Sequence, residues 1–179
     1  MLFTCCKGIP NRKFCGVVLK CPQSVNAFGI DYFLKGRFFM SKIAVVYWSG
    51  TGNTETMANA VVKGAKDKGA ETELFTASNF SADMADNFDG IAFGCPSMGT
   101  EELEESEFEP MFSAVKGKLN GKKIVLFGSY GWGDGEWMRN WEDDCKKCGA
   151  VLAAESVICN DAPDDDAIAQ CEALGAALV

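Results

Sequence analysis

The chain is 179 residues long, 47% of them hydrophobic, with a net charge of −8, which suits one domain with a substantial core. The charge is uneven: residues 1–39 carry six Lys/Arg against one acid, Asp31, whereas residues 40–179 carry 11 basic and 24 acidic residues. Such an acidic body repels a phosphate backbone, which argues against nucleic-acid binding; the absence of histidine removes the commonest neutral-pH acid–base group and with it most hydrolase mechanisms.

No apolar run approaches the roughly 18 residues that indicate a membrane helix. The nine cysteines are odd in number and form no paired framework, which points to reduced thiols and a cytoplasmic protein. Residues 1–39 show neither a helical nor an alternating period. Gly16–Leu19 is too short for a secretory core and Lys20 interrupts it. Cys5, Cys6, Cys15 and Cys21 match no iron–sulfur spacing. Lys35-Gly36-Arg37 can be encoded by purines alone, two codons before Met40, as in a ribosome-binding tract. We expect translation to start at Met40, with residues 1–39 being upstream sequence read in frame or an unstructured extension. A targeting peptide or a small appended module are the alternatives. Residues 40–179 are expected to form the functional domain.

From Met40 the pattern alternates between strands and helices. The run 42–48, KIAVVYW, reads as a buried strand. Met57, Val61, Val62 and Ala65 then fall at helical spacing, and Gly69 ends that helix. Residues 70–76 read as a second strand, 82–87 as a short helix and 89–96 as a third strand. A helix over 107–118 tolerates Pro110 because it lies in the first turn. Residues 122–130 form a fourth strand, 136–149 a helix, 150–159 a fifth strand and 164–178 a last helix. Five strands alternating with helices predict a doubly wound α/β fold, a parallel sheet covered on both faces. Such sheets bind ligands at the carboxyl ends of their strands. The loops 49–54, 77–81, 95–105 and 129–137 lie there.

The first of these, SGTGNT, leads straight into a helix. Amides at a helix N-terminus bind anions. Gly50 and Gly52 allow close approach, while Ser49, Thr51, Asn53 and Thr54 add neutral donors. A P-loop would need a lysine, and the dinucleotide fingerprint would need glycine at 55, which is Glu. The loop therefore reads as a holder for a phosphate monoester. The plainer reading is an N-capped helix after a flexible turn. In the loops after strands three and four, Met98 precedes Gly99, and Trp132 stands between Gly131 and Gly133. An indole on a glycine-flanked tip suits stacking on a planar ring. Met98 alone reads equally well as gap-filling. Trp137 and Trp141, four apart on a helix, read as packing residues, and Trp48 as packing beside the phosphate loop.

The three segments VYWSGTGNTE, GCPSMGTEELEESEFEP and FGSYGWGDGEWM, in this order, resemble the short-chain flavodoxins of anaerobic bacteria. The resemblance runs from about Lys42 to Val179, and the long-chain insertion in the last strand is absent. It implies the flavodoxin-like sheet order 2-1-3-4-5, bound FMN, and a low-potential one-electron carrier that passes between oxidised, neutral semiquinone and anionic hydroquinone forms. By the same resemblance, Ser49, Gly50, Thr51, Gly52, Asn53 and Thr54 hold the phosphate. Met98 and Trp132 flank the isoalloxazine, and Glu101 accepts from the flavin N3–H. The Met98–Gly99–Thr100 backbone faces N5. Ser129, Tyr130 and Gly131 line the ribityl and pyrimidine side, and Pro96, Ser97 and Gly133 complete the set. No metal is implied. The implied partners are redox proteins with basic patches, met by a monomer.

Two rival functions share the fold. An FMN-dependent NAD(P)H:quinone-type reductase would need a second nucleotide site, and no second fingerprint is present. A phospho-receiver would need an acidic cluster and a lysine at the strand ends, which are not evident. Cys145-x-x-Cys148 lies late in a helix, whereas thioredoxin-type chemistry places it at a helix N-terminus.

Two outcomes are expected. The intact mass of the native protein should correspond to a start at Met40, and a mass that includes residues 1–39 would overturn that start. Gly99→Val should lower the semiquinone yield on stepwise dithionite reduction, because a carbonyl turned toward N5 needs a conformation that glycine reaches cheaply. One lost hydrogen bond of about 1 kcal/mol is roughly 40 mV in a one-electron couple. An unchanged yield would count against this role.

Overall fold

A computed structural model describes residues 40–179; the readings placed on residues 1–39 lie outside the described residues. The elements run β1 (Lys42–Tyr47), α1 (Asn53–Asp67), β2 (Glu71–Thr76), α2 (Ala82–Ala85), β3 (Gly90–Gly94), α3 (Phe108–Val115), β4 (Lys123–Tyr130), α4 (Glu136–Lys147), β5 (Val151–Leu152), β6 (Val157–Asn160) and α5 (Asp165–Ala177). Single 3₁₀ turns follow β2 and α3.

All pairings within the sheet are parallel. β1 lies between β2 (Ile43 opposite Thr72) and β3 (Ile43 opposite Gly90). β4 joins β3 on one side and both β5 and β6 on the other. The order is therefore 2-1-3-4-5, with β6 continuing the β5 position. The strand expected over 150–159 is thus two pieces. After Ala153 N–H donates to Ile124 O at 2.9 Å, residues 154–156 leave the ladder, and the Ser156 hydroxyl donates to Glu142 Oε1 on α4 at 2.6 Å. An edge strand loses less by such a break than a central one, because only one of its sides is paired.

Side chains alternate across the sheet as the period of two requires. Ala44, Val46, Ile91, Phe93 and Leu126 face a layer containing α3 and α4, with Phe108, Phe112, Trp137 and Trp141. Ile43, Val45, Ala92, Val125 and Phe127 face the layer of α1 and α5, with Met57, Val61, Cys171 and Leu174. Both faces being covered, the inner strands read in sequence as continuous apolar runs. The first layer is aromatic: Trp141 meets Phe108 and Phe112 edge-on at 5.4 and 5.5 Å between ring centroids.

α1 and α5 meet backbone to backbone. A Cβ on Gly64 would overlap the Glu172 carbonyl, and one on Gly175 would overlap the Val61 carbonyl. The Lys63–Glu172 ion pair, 2.6 Å, spans the same contact. Helix propensity alone predicts that Gly64→Ala stabilises by about 1 kcal/mol. The packing reverses the sign. Gly64→Ala is expected to destabilise by about 1–3 kcal/mol, the cost of overpacking. Urea unfolding reads the difference, and a stabilised variant would show that the two helices separate freely.

Candidate functional site

The loops after β1, β3, β4 and β6 converge at the carboxyl edge of the sheet. They enclose a cleft of about 350 Å³, within the roughly 300–1,000 Å³ typical of small-molecule sites. Trp48, Gly50, Thr51 and Asn53 line it from the first loop, and Pro96, Ser97 and Met98 from the second. Ser129, Tyr130 and Gly131 line it from the third, and Asp161 from the loop after β6. The cleft is held at its base by Trp48 N–H donating to Gly94 O (2.9 Å) and Ser97 N–H to Ser129 O (2.9 Å). The Trp48 indole packs against the Gly50 backbone, so a Cβ there would come within 3.0 Å of it.

The other expected site residues do not line the cleft. Ser49 Oγ accepts from Gly52 N–H at 3.0 Å and so shapes the turn. Gly52 sits at φ +92° immediately before α1. Thr54 is buried, with Oγ1 3.4 Å from Ser129 Oγ, which ties the first loop to the end of β4. Met98 and Glu102 exchange two backbone hydrogen bonds, each 2.9 Å, and close a hairpin over Gly99, Thr100 and Glu101. Gly99 has φ +50° with open space where a side chain would go, so its identity answers a backbone conformation and not a contact. Trp132 is 61% exposed. Gly133 lies against the Glu101 carboxylate.

Four helices of eight or more residues begin near or below this edge, each with first-turn amides that lack intrahelical acceptors. Glu104, 6% exposed, accepts from Ser106 (2.9 Å), Glu107 (2.8 Å) and Phe108 (2.9 Å) and so closes α3. Glu101 Oε1 accepts from Asp134 (3.2 Å), Gly135 (2.9 Å) and Glu136 (3.0 Å) and closes α4. Asp164 Oδ1 accepts from Ala167 N–H at 2.8 Å and closes α5. α1 has no side-chain cap, and Asn53 of its first turn opens on the cleft. Neutral donors, glycines and an open helix N-terminus fit a phosphate monoester.

A larger groove, about 480 Å³, lies between the 101–105 segment and α4. Glu101, Glu102, Glu105, Glu109 and Asp144 line it, a donor-poor wall that repels phosphate. The run Glu101–Glu107 is therefore not a uniform solvated surface. Glu102, Glu105 and Glu107 are exposed, whereas Glu101 and Glu104 are spent on helix ends.

Sequence reasoning missed two lining residues. Trp48 reads as packing, yet its ring also walls the cleft. Asp161, at φ +55°, follows the fifth strand position, whose loop belongs to the same carboxyl edge and was open to the same argument. Burial pushes the Cys95, Cys145 and Cys171 thiols up to about 12, which disfavours their thiolates. Cys148 donates to Cys145 O at 3.0 Å near the end of α4. Among the described residues no group of three or more potential metal ligands occurs, and no helix is long and apolar enough to cross a membrane.

An order of 2-1-3-4-5 with a phosphate-suited cleft at the β1/β3 switch point defines a mononucleotide-binding, doubly wound protein. Flavodoxins are themselves a standing illustration of that rule. A family model described as flavodoxin matches residues 45–175. The flavodoxin of Clostridium beijerinckii is 46% identical over 121 residues, covering 68% of this chain and 88% of that protein. The flavodoxin of Megasphaera elsdenii is 44% identical over 135 residues, covering 75% and 96%. The solution structure of the two-electron reduced Megasphaera elsdenii flavodoxin superposes with a TM-score of 0.71 at 45% identity, covering 76% of this chain and 97% of that one. The chain belongs to the flavodoxin family, FMN-binding electron carriers and not enzymes.

Burial raises the Glu104 pKa, but donation from Phe108, Glu107 and Ser106 outweighs it and holds the carboxyl below its ordinary value. A group with a lowered folded pKa contributes stability above its unfolded pKa, about 4.3 for Glu, and loses it as pH falls through the folded value. Glu104→Gln should therefore cost about 1–3 kcal/mol at pH 7 and less as the pH falls below 4. Urea unfolding at the two pH values reads this; an equal cost at both would show that the charge is not what matters.

Proposed function

We propose that the cleft holds FMN with its phosphate on residues 49–54 and its ring between the 96–101 and 129–133 loops. The observation that carries this reading is the N-terminus of α1, free of a side-chain cap, with Gly50, Thr51 and Asn53 of its loop lining the cleft. When bound, FMN supplies reversible one-electron transfer. Thr51 and Asn53, with the first-turn amides of α1, anchor the phosphate; the helix dipole favours its charge. Thr54 and Ser129, joined below, hold the two loops at a fixed spacing. Met98 and Trp132, 39% and 61% exposed, supply apolar surface that excludes water from the two faces of a flat ring. Gly99 allows its peptide two orientations at little steric cost.

The charge around the cleft has a consequence for the potential. No lysine or arginine lines it, whereas Asp161 does, and Glu102 and Glu105 stand exposed on the hairpin side. One unit charge at about 10 Å and an effective dielectric of about 40 contributes roughly 0.8 kcal/mol. Several together make further negative charge in the cleft unfavourable, the setting of a low-potential carrier. The same acidic face suits redox partners with basic patches, engaged by a monomer in the cytoplasm. The reductase alternative is not favoured, since the relatives are flavodoxins.

Riboflavin, which lacks the phosphate, discriminates the anchor. Thr51→Ala and Asn53→Ala should weaken FMN binding by up to about tenfold each, as one lost hydrogen bond requires. Riboflavin affinity should stay where it was. Flavin fluorescence titration of the FMN-free protein measures both, and equal losses for the two ligands would remove the phosphate from this loop.

A further inference from the structure

We propose that Asn120-Gly121 is a self-modification site, an amide that deamidates when the turn before β4 opens and that the closed turn protects. The turn precedes β4, whose far end lines the cleft, so the site lies at the opposite edge of the sheet and does not depend on what the cleft holds. It is the one Asn-Gly pair in the chain. Glycine puts no side chain in the way of ring closure, and Asn120 is exposed. In the reaction the Gly121 amide nitrogen gives up its proton and bonds to Asn120 Cγ. The Cγ–Nδ2 bond breaks and the side-chain nitrogen leaves as ammonia. Water then opens the resulting succinimide at either carbonyl, leaving aspartate or isoaspartate at position 120.

The closed turn holds this reaction off in three ways. Gly121 N–H donates to Gly149 O at 2.8 Å, so the attacking nitrogen is engaged. Lys122 N–H donates to Leu119 O at 2.9 Å, and Gly121 has φ +73° whereas Asn120 has no positive φ. That is a type II turn with Asn120 at its first central position. The ψ angle there carries Gly121 N away from the Asn120 side chain, and the five-membered ring cannot close. Asn120 Oδ1 also lies against Gly149, where a Cβ would come within 2.4 Å of it. Gly149 holds φ +83° just past α4, its N–H donating to Lys146 O and Ala150 N–H to Cys145 O, both at 3.1 Å. One residue thus ends α4 and presents its carbonyl to the turn. The step runs one way. Isoaspartate adds a backbone carbon between positions 120 and 121, which displaces the Gly121 amide from Gly149 O. The two-residue β5, held at this end by Val151 N–H donating to Lys122 O at 2.9 Å, is released with it.

The test holds the full chain in mildly alkaline buffer, native, in graded urea below the unfolding transition, and unfolded, and reads position 120 by peptide mass mapping. The unfolded chain should lose the Asn120 amide at least tenfold faster than the native one, since only open states react. Below the transition the loss should rise in proportion to hydrogen exchange at the Gly121 amide, because both need that N–H released. Gly149→Ala should quicken both about tenfold in the native protein and leave the loss from the unfolded chain unchanged. The urea series on the parent carries the test should this variant not fold. Chains carrying isoaspartate at position 120 should exchange the Gly121 and Val151 amides faster than unmodified chains. An Asn120 amide that persists in the unfolded chain overturns the site. Equal loss from native and unfolded chains, or loss that does not follow Gly121 exchange, overturns protection by the turn. Unchanged exchange in the isoaspartate-bearing chains overturns the one-way step.

Discussion

Every helix in a parallel α/β layer starts with amides that the helix cannot satisfy, and in this flavodoxin the disposal of those amides organises the carboxyl edge of the sheet. Three helices are closed by carboxylates: Glu104 on α3, Glu101 on α4 and Asp164 on α5. α1 is left without a side-chain cap and begins beside the cleft. The molecule thus sets a carboxylate on the first amides of three helices and leaves those of α1, beside the cleft, without one. A lysine in the first loop would bind phosphate more tightly but would also place a cation beside a cofactor whose reduction adds negative charge.

The acidic run after β3 shows the same constraint at finer scale. Neighbouring acids in it meet different fates. Glu104 is buried and hydrogen-bonded to the backbone it precedes, and Glu101 reaches across to another helix. Glu102 and Glu105 remain exposed and keep their full field. Their shared chemistry hides a division between structure and electrostatics. The thiols follow a parallel logic in reverse: Cys95, Cys145 and Cys171 sit in apolar layers, where burial disfavours their ionisation.

Much of this was legible before any coordinates. The strand and helix alternation rests on local properties, side-chain period and glycine placement, whereas the sheet order came from the resemblance that the three loop segments carry. The layers beneath the sheet were legible for the same reason, since Trp137 and Trp141 four apart must share a helix face, and both are buried. The fifth strand was not, because its break between β5 and β6 involves the Ser156 hydroxyl and Glu142 on α4, 14 residues earlier.

By itself the sequence determined the alternation of strands and helices and at which edge of the sheet the glycine-bearing loops lie. Each follows from interactions spanning a few residues. Only the tertiary structure decided which glutamates are free charges and which are caps, that Asp161 joins the cleft, and that Gly64 and Gly175 are contact points and not weak places in their helices. Apart from the local Glu104 and Asp164 caps, those outcomes depend on which backbone stands opposite a side chain 30 or more residues away, and pattern and propensity carry no record of that distance.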